Sequence, residues 1–383
     1  MCARCGGALP DGGRVSPRIV LLRGSTHGVV ERLAEVRAAG NIPLIGDERW
    51  PAAQWEAVAA LAAESAVPDG AAWAALTSGS SGTARILVRS EASWATSFSA
   101  VSTLLGDAES VALPAPPASS LTLFSLAHAL TGRGPRPALD AESARTATAF
   151  HGTPQGLQSL LDAEAIPAVR TALVGGSHLD PALRARAEAN GIRLTSYYGA
   201  AEASFIAIDR GDGLRAFPGV ELDVRAGVLW VRSPYIALGY LGEGGPLRRD
   251  GEWVTVGDLA ELSDDVLTLR GRSDGAILTA SATVIPEEVE AALRGVPGIA
   301  DAVVFDVPAP RIGALVAAVI EPEAADTPLT LTELREAAER SLAPAHRPRL
   351  WFSGVIPRTP SGKPARAETK RRALVGEVDR VTR

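Results

Sequence analysis

Short apolar runs alternate with stretches of helical spacing through the first two hundred residues. Residues 18–22 read as a strand and are followed by a helical pattern over residues 27–39 that stops at Gly40. Further on, residues 171–174 read as a strand and residues 180–190 as a helix. Asp180 is its N-cap, Pro181 its first turn and Gly191 its stop signal, and residues 192–196 form the next strand. Alternation of this kind predicts layers of helix over a sheet, an α/β fold.

From Val220 onward the rhythm changes. Residues 220–224, 228–232, 253–256 and 266–269 are short apolar or alternating runs separated by turn residues, which predicts a β-rich subdomain. Beyond Asp274 a smaller α+β pattern follows. It has a helix over residues 286–294, strands at 302–305 and 314–320, and a helix opening at Leu331 behind a Thr330/Glu333 capping box. The expectation is a large N-terminal α/β domain with a β-rich subdomain over residues 1–273, and a small mobile C-terminal α+β domain over residues 274–383. No internal repeat and no low-complexity segment interrupts it, only a high alanine content.

A chain of 383 residues, 46% hydrophobic, can bury more than one core, which agrees with two domains. Its net charge of -6, with both signs intermixed, argues against nucleic acid or an anionic membrane as the main partner. No apolar run approaches the roughly 20 residues that cross a bilayer, so a cytoplasmic protein without a membrane span is expected. Cys2 and Cys5 make a CxxC with no second pair at zinc spacing, and the segment around them reads as a frayed terminus.

Two segments suggest chemistry. Thr77-Ser78-Gly79-Ser80-Ser81-Gly82-Thr83 lies between apolar strands. Its glycines let the backbone curl around an anion and its hydroxyls add donors, so it suits a phosphate chain, although it lacks the Gly-Lys-Ser/Thr of a Walker loop. The second is Pro357-Arg358-Thr359-Pro360-Ser361-Gly362-Lys363. Only two of the 38 basic residues are lysines, so this loop presents a compact ammonium in a chain that otherwise uses the planar fork of arginine. A flexible linker and an ordinary turn are the plain alternatives for the two segments.

With Tyr198-Gly199-Ala200-Ala201-Glu202, Gly257-Asp258-Leu259 and Gly271-Arg272-Ser273-Asp274 between them, these segments occur in the order of the core motifs of AMP-forming acyl-CoA synthetases, the adenylate-forming ligases. The resemblance runs from about Trp73 to Arg366. It implies activation of a carboxylic acid with ATP to an acyl-adenylate, release of pyrophosphate, and transfer of the acyl group to the thiol of coenzyme A. By this resemblance, residues 77 to 83 hold the β- and γ-phosphates. Glu202 binds Mg2+, Tyr198 lies against adenine with Gly175, Gly176 and Ser177 close to the purine, Asp258 and Arg272 bind the ribose, and Lys363 is the catalytic amine. Asp274 takes the hinge position at which the small domain swings.

Departures from the motifs shape the expectation. Ala84-Arg85 replaces the usual Pro-Lys after the phosphate loop, with Arg85 retaining the charge. Ala201 replaces a threonine that contacts the α-phosphate, a loss of about 1.5–3 kcal/mol unless Ser204 or a water substitutes. Residues 113–117, Leu-Pro-Ala-Pro-Pro, lack the usual aromatic gate, and His128 reads as a core residue. Ala280-Ser281 stands where a glycine pair lines the pantetheine tunnel.

The phosphate loop comes early in the chain, which resembles the short o-succinylbenzoate-CoA ligases. An apolar or aromatic acyl pocket is expected near residues 150–154, 175–177 and 199–204. The first expectation is an ATP-dependent carboxylate-CoA ligase. An adenylating enzyme that passes its acyl group to a carrier protein or an amine comes second, and a degenerate nucleotide-binding protein third. A homodimer is kept among the expected assemblies.

Overall fold

The computed structural model describes residues 17–78, 84–176, 179–242, 244–272, 275, 277–278, 283–309, 313–324, 329–344, 346–359 and 362–382. Its centre is a seven-stranded sheet in the order Arg215–Ala216, Ser204–Asp209, Arg193–Ala200, Thr171–Gly175, Ala149–Gly152, Ser110–Ala112 and Arg136–Ala138. The last five are parallel to their neighbours, with helices such as Pro154–Asp162 and Pro181–Ala189 between them, while Ser204–Asp209 turns back antiparallel.

The chain runs outward from Ser110–Ala112 to Arg136–Ala138, then crosses back to Ala149–Gly152 and continues the other way. Strand order therefore reverses between Ser110–Ala112 and Ala149–Gly152. In open α/β sheets a crevice for ligands lies outside the carboxyl ends of the strands at such a reversal. Here those ends are Ala112, Gly152, Gly175 and Ala200.

Alternation along the strands divides the core between the two faces of this sheet. Ala149 and Leu173 point into a cluster with Trp94, Phe124 and Phe205, and their neighbours Phe150 and Val174 into a second with Leu157 and Leu194. A three-stranded sheet of Gly239–Tyr240, Ala84–Ser90 and Ala71–Ser78 carries the strands on either side of the glycine/serine loop. A six-stranded sheet, including Val228–Arg232, Asp258–Ser263 and Val266–Arg272, forms the β-rich subdomain.

Ile277 packs in the core of the smaller part. The sheet of this part runs Ile299–Ala309, Gly313–Pro322, Leu350–Ser353, Asp379–Arg380. Val304, Ala318 and Ile320 pack with Leu293 and Leu334 of the helices Pro286–Arg294 and Leu331–Ser341. The alternate set, Val303, Phe305 and Val319, packs with Ala373 of the helix Arg366–Leu374. Trp351 is 1% exposed in this core, and truncating such a residue costs about 3–5 kcal/mol.

The strand Val228–Arg232, the helix Pro286–Arg294 and the capped start at Leu331 stand as the sequence predicts. The helices Ala52–Glu64 and Ala92–Leu104 and the strand Ile42–Gly46 were not foreseen. Residues 273 and 274, where the domain boundary is expected, lie outside the described residues, as do Cys2, Cys5, Ala280 and Ser281.

Candidate active site

At the carboxyl end of Thr171–Gly175, Gly176 adopts φ +91°, a conformation open to glycine at little cost. A Cβ built there would lie 3.3 Å from Cε and 3.7 Å from Nζ of Lys363. The loop of the small domain thus delivers its ammonium to the crevice that strand order predicts. Gly362 lies against the Gln155 amide, so a side chain at Gly362 would collide with it. Gln155 belongs to the helix Pro154–Asp162, whose N-cap Thr153 accepts from the Gly156 N–H at 3.2 Å.

Two carboxylates stand around this crevice, each held by a phenol. The Tyr198 hydroxyl, from the end of Arg193–Ala200, donates to Oδ2 of Asp258. Asp258 opens the strand Asp258–Ser263 and pairs in register with Arg272 on the neighbouring strand. Its preceding turn is fixed by Gly257, at φ +85°, whose N–H donates to the Thr255 hydroxyl at 3.0 Å. Tyr198, Asp258 and Arg272, assigned to one nucleoside by the motifs, are thereby brought together from two sheets.

Glu202 follows the turn at the end of Arg193–Ala200 and is 7% exposed, so it is not a solvated surface glutamate. It accepts from the Tyr240 hydroxyl, and its own carbonyl accepts from Ala237 N–H at 2.7 Å. Gly199 has no alternative here, because a Cβ would strike the Ser204 carbonyl. Ser204 holds a left-handed φ of +55°, and its enclosed hydroxyl has no partner among the described residues. That enclosure does not favour Ser204 as the stand-in for the threonine absent at Ala201.

Arg89 was not foreseen as part of this site. Fully buried on the strand Ala84–Ser90, it donates to the Ala201 carbonyl at 2.5 Å and to the Tyr235 carbonyl at 2.8 Å. Burial pushes its guanidinium down to about 9, and the charge of Glu202 pulls it back up. Arg89 thus ties the strand that follows the glycine/serine loop to the turn that presents Glu202. Tyr240 was also missed, because nothing local marks a tyrosine whose partner is 38 residues away.

Thr77 pairs in register with Arg85 across the mouth of the loop, which places both at its base. Gly79, Ser80, Ser81, Gly82, Thr83, Ser177 and Asp274 lie outside the described residues, as do the side chains of Ser78 and Arg272. The pocket expected near residues 150–154 needs a correction at Phe150, which is fully buried in the second core cluster because alternation turns it away from His151.

His151 is buried with its Nδ1 2.8 Å from the Ser125 hydroxyl and its Nε2 3.1 Å from the Tyr197 hydroxyl. Burial lowers it to about 3 and raises the Tyr197 phenol. The Tyr197 ring fills the space over Gly175, where a Cβ would meet it. Pro114, in the segment without an aromatic gate, abuts Gly152 and Gly156. His128 is core, as expected: it is 2% exposed and stacks on Phe98 at 4.5 Å, with burial lowering it to about 4.

No cluster of three or more His, Cys, Asp or Glu side chains that could enclose a metal occurs among the described residues. The donor set fits Mg2+ nonetheless, since that ion is commonly bound by one or two carboxylates together with substrate phosphates and water. Glu202 would be its protein ligand.

The family model for AMP-binding enzymes matches residues 18–241, and the model for the AMP-binding enzyme C-terminal domain matches residues 288–363. The chain belongs to the AMP-binding enzyme family. It is 31% identical over 244 residues to the fatty acid–acyl-carrier-protein ligase MmaC of Mycobacterium marinum, covering 52% of this chain and 45% of that protein. The match thus spans about half the length of the curated relative.

Among solved structures, E. coli MenE with bound OSB-AMS superposes with TM-score 0.78 at 22% identity, covering 94% of this chain and 88% of that one. ATP-bound MatB from Rhodopseudomonas palustris gives 0.78 at 18% identity, covering 95% and 90%. These likenesses show the fold, a large α/β part and a small α+β part shared with those two structures.

Proposed function

We propose that the protein activates a carboxylic acid with ATP to an acyl-adenylate and pyrophosphate, and then passes the acyl group to the thiol of coenzyme A with release of AMP. The observation that carries this is the Lys363 amine lying against Gly176, at the strand ends beside which Tyr198–Asp258 and Tyr240–Glu202 stand. A carboxylate oxygen of the acid forms a bond to the α-phosphorus while the bond from phosphorus to the bridging oxygen of pyrophosphate breaks. Negative charge passes from the carboxylate to the α-phosphate oxygens and the departing pyrophosphate, and the Lys363 ammonium is the donor set to meet it where acid and α-phosphate join. Asp258, with Arg272, holds the ribose, and the base of the phosphate loop at Thr77 and Arg85 orients the triphosphate. Glu202 would hold Mg2+, which supplies charge neutralisation of the phosphates.

Asp274 as hinge and a boundary at 273/274 belong to the same proposal. The six-stranded sheet ends at Arg272, and the next described strand, Ile277–Leu278, packs with the small domain. A cytoplasmic location is part of the reading; no helix among the described residues is long and apolar enough to cross a membrane. A carrier-protein acceptor is the second reading, favoured by the likeness to an acyl-carrier-protein ligase and by Ala280-Ser281 in place of a glycine pair.

Carboxylate-dependent exchange of labelled pyrophosphate into ATP over a panel of aliphatic and aromatic acids tests adenylation. Product analysis with coenzyme A or a phosphopantetheinylated carrier then separates the two readings. Exchange with at least one acid is expected. A broad panel without exchange would leave only the degenerate nucleotide-binding protein.

A further inference from the structure

The loop that presents Lys363 is closed at its base by backbone bonds. Ala365 N–H donates to the Pro357 carbonyl and Thr359 N–H to the Lys363 carbonyl, each at 2.7 Å, and the Gly362 N–H donates to the Thr359 carbonyl at 2.8 Å. On each side of this closed loop stands an arginine paired with carboxylates of the small domain. Arg358 is bonded to Asp301 at 2.9 Å and to Glu321 at 2.8 Å. Arg366, the first residue of the helix Arg366–Leu374, grips both carboxylate oxygens of Glu290 and reaches Glu287 at 3.2 Å.

Glu290 is 3% exposed and is itself fixed by the Val304 N–H at 2.7 Å. Burial raises its carboxyl above the ordinary value, against the opposing pull of Arg366. Asp301 accepts from Arg294 as well, at 3.3 Å. Both anchors therefore end on the small domain's own frame, the helix Pro286–Arg294 and the strands Ile299–Ala309 and Gly313–Pro322. Neither arginine has an anchor in the large domain among these contacts.

We propose that Arg358 and Arg366 are positioning residues that clamp the Lys363 loop to the small domain, so that the ammonium reaches the reacting oxygens at a set depth whenever that domain closes. The geometry makes the pair act as two ends of one bracket. A bidentate guanidinium–carboxylate contact fixes orientation as well as distance, and displacement of a catalytic group by about 1 Å costs on the order of a hundredfold in rate. The inference rests on the reading of Lys363 as the adenylating amine, through which the clamp acts.

Glu290→Gln and Arg358→Gln test it. The first keeps the shape and the acceptor for Val304 while removing the charge that Arg366 grips. Each is expected to lower the kcat of pyrophosphate exchange by about tenfold or more, and the double variant by about a hundredfold, with KM for ATP within about twofold. Consumption of a chemically supplied acyl-adenylate in the second half-reaction is expected to stay within about twofold. In a Lys363→Ala background neither substitution should reduce exchange further, because the clamp acts only through that amine. Equal loss in both half-reactions, or loss that adds to that of Lys363→Ala, would show a merely structural role and overturn the proposal.

A readout independent of catalysis uses the two lysines, Lys363 and Lys370. Reductive 13C-methylation labels both, and Lys370, paired with Asp306 at 2.6 Å, serves as the internal reference in Arg358→Gln. The Lys363 methyl signal should move towards the value of a mobile chain in both variants. An unchanged Lys363 signal overturns the clamp even if the wild-type protein exchanges no pyrophosphate, so the clamp and the proposed function fail separately.

Discussion

The large domain and the Lys363 loop hold their charged groups by opposite means. In the large domain Asp258 and Glu202 are each held by a tyrosine hydroxyl that arrives from a different sheet, so the donor is neutral and the partners are distant in sequence. In the loop, Arg358 and Arg366 pair with carboxylates of the same small sheet and its helix, through contacts that leave the arginines 29% and 40% exposed. A neutral donor orients a carboxylate without adding a charge of its own. A local ionic anchor keeps its geometry when the domain that carries it moves. On the proposed reading, the contrast is between a receptor that stays fixed and a donor carried by the small domain.

The largest break in that contrast is removal of the travelling charge. Lys363→Ala is expected to lower pyrophosphate exchange by about 10²–10³ or more, the usual loss for one preorganised donor, while titration calorimetry finds ATP affinity nearly unchanged. Near-normal exchange in that variant would refute the role of the amine. Next, Gly176→Ala places a Cβ 3.3 Å from Lys363 Cε on a backbone at φ +91°. It should cost about tenfold or more in exchange, and nothing further once Lys363 is alanine. An equal loss in both backgrounds would mean that Gly176 serves the backbone alone.

A smaller effect is expected where the donor is neutral. Tyr240→Phe removes one hydrogen bond to the Glu202 carboxylate, worth on the order of 1.5–3 kcal/mol before water replaces it. The expected result is a several-fold rise in the Mg2+ concentration at half-maximal exchange, with little change in Tm. A variant that loses stability but not Mg2+ response would make Tyr240 structural.

The smallest effect concerns pH. Burial depresses His151 from 6.5 to about 3, so the folded state holds it neutral while the unfolded chain takes up the proton. Its contribution is fully present above about 6.5 and lost progressively as pH falls from there towards 3. The Tm should fall over that range, and His151→Gln should flatten the fall.

Much of the fold was legible because its signals are local. Pro181 behind Asp180, the Thr330/Glu333 box and the alternation in Val228–Arg232 each specify their element within a few residues. Ala52–Glu64 and Ala92–Leu104 were harder. The first is alanine-rich and lacks a sharp apolar stripe, and the second buries serines such as Ser93 and Ser97 that satisfy themselves against backbone carbonyls. Phe150 was expected near the acyl pocket, and only the facing of its strand shows that it belongs to the opposite core.

For the site, residue identities were readable from the chain alone: at Lys363 one of only two lysines among many arginines, carboxylates at Glu202 and Asp258, and a loop of glycines and hydroxyls. Those depend on residue type and local order, which a linear chain displays. Which of them meet is set by the three-dimensional packing. The Tyr198–Asp258 and Tyr240–Glu202 bonds, the reach of Arg89 to the Ala201 carbonyl, and the approach of Lys363 to Gly176 join residues 38 to 187 positions apart. Such contacts come from sheet order and from the packing of one domain on another. Neither leaves a mark on the residues immediately beside them.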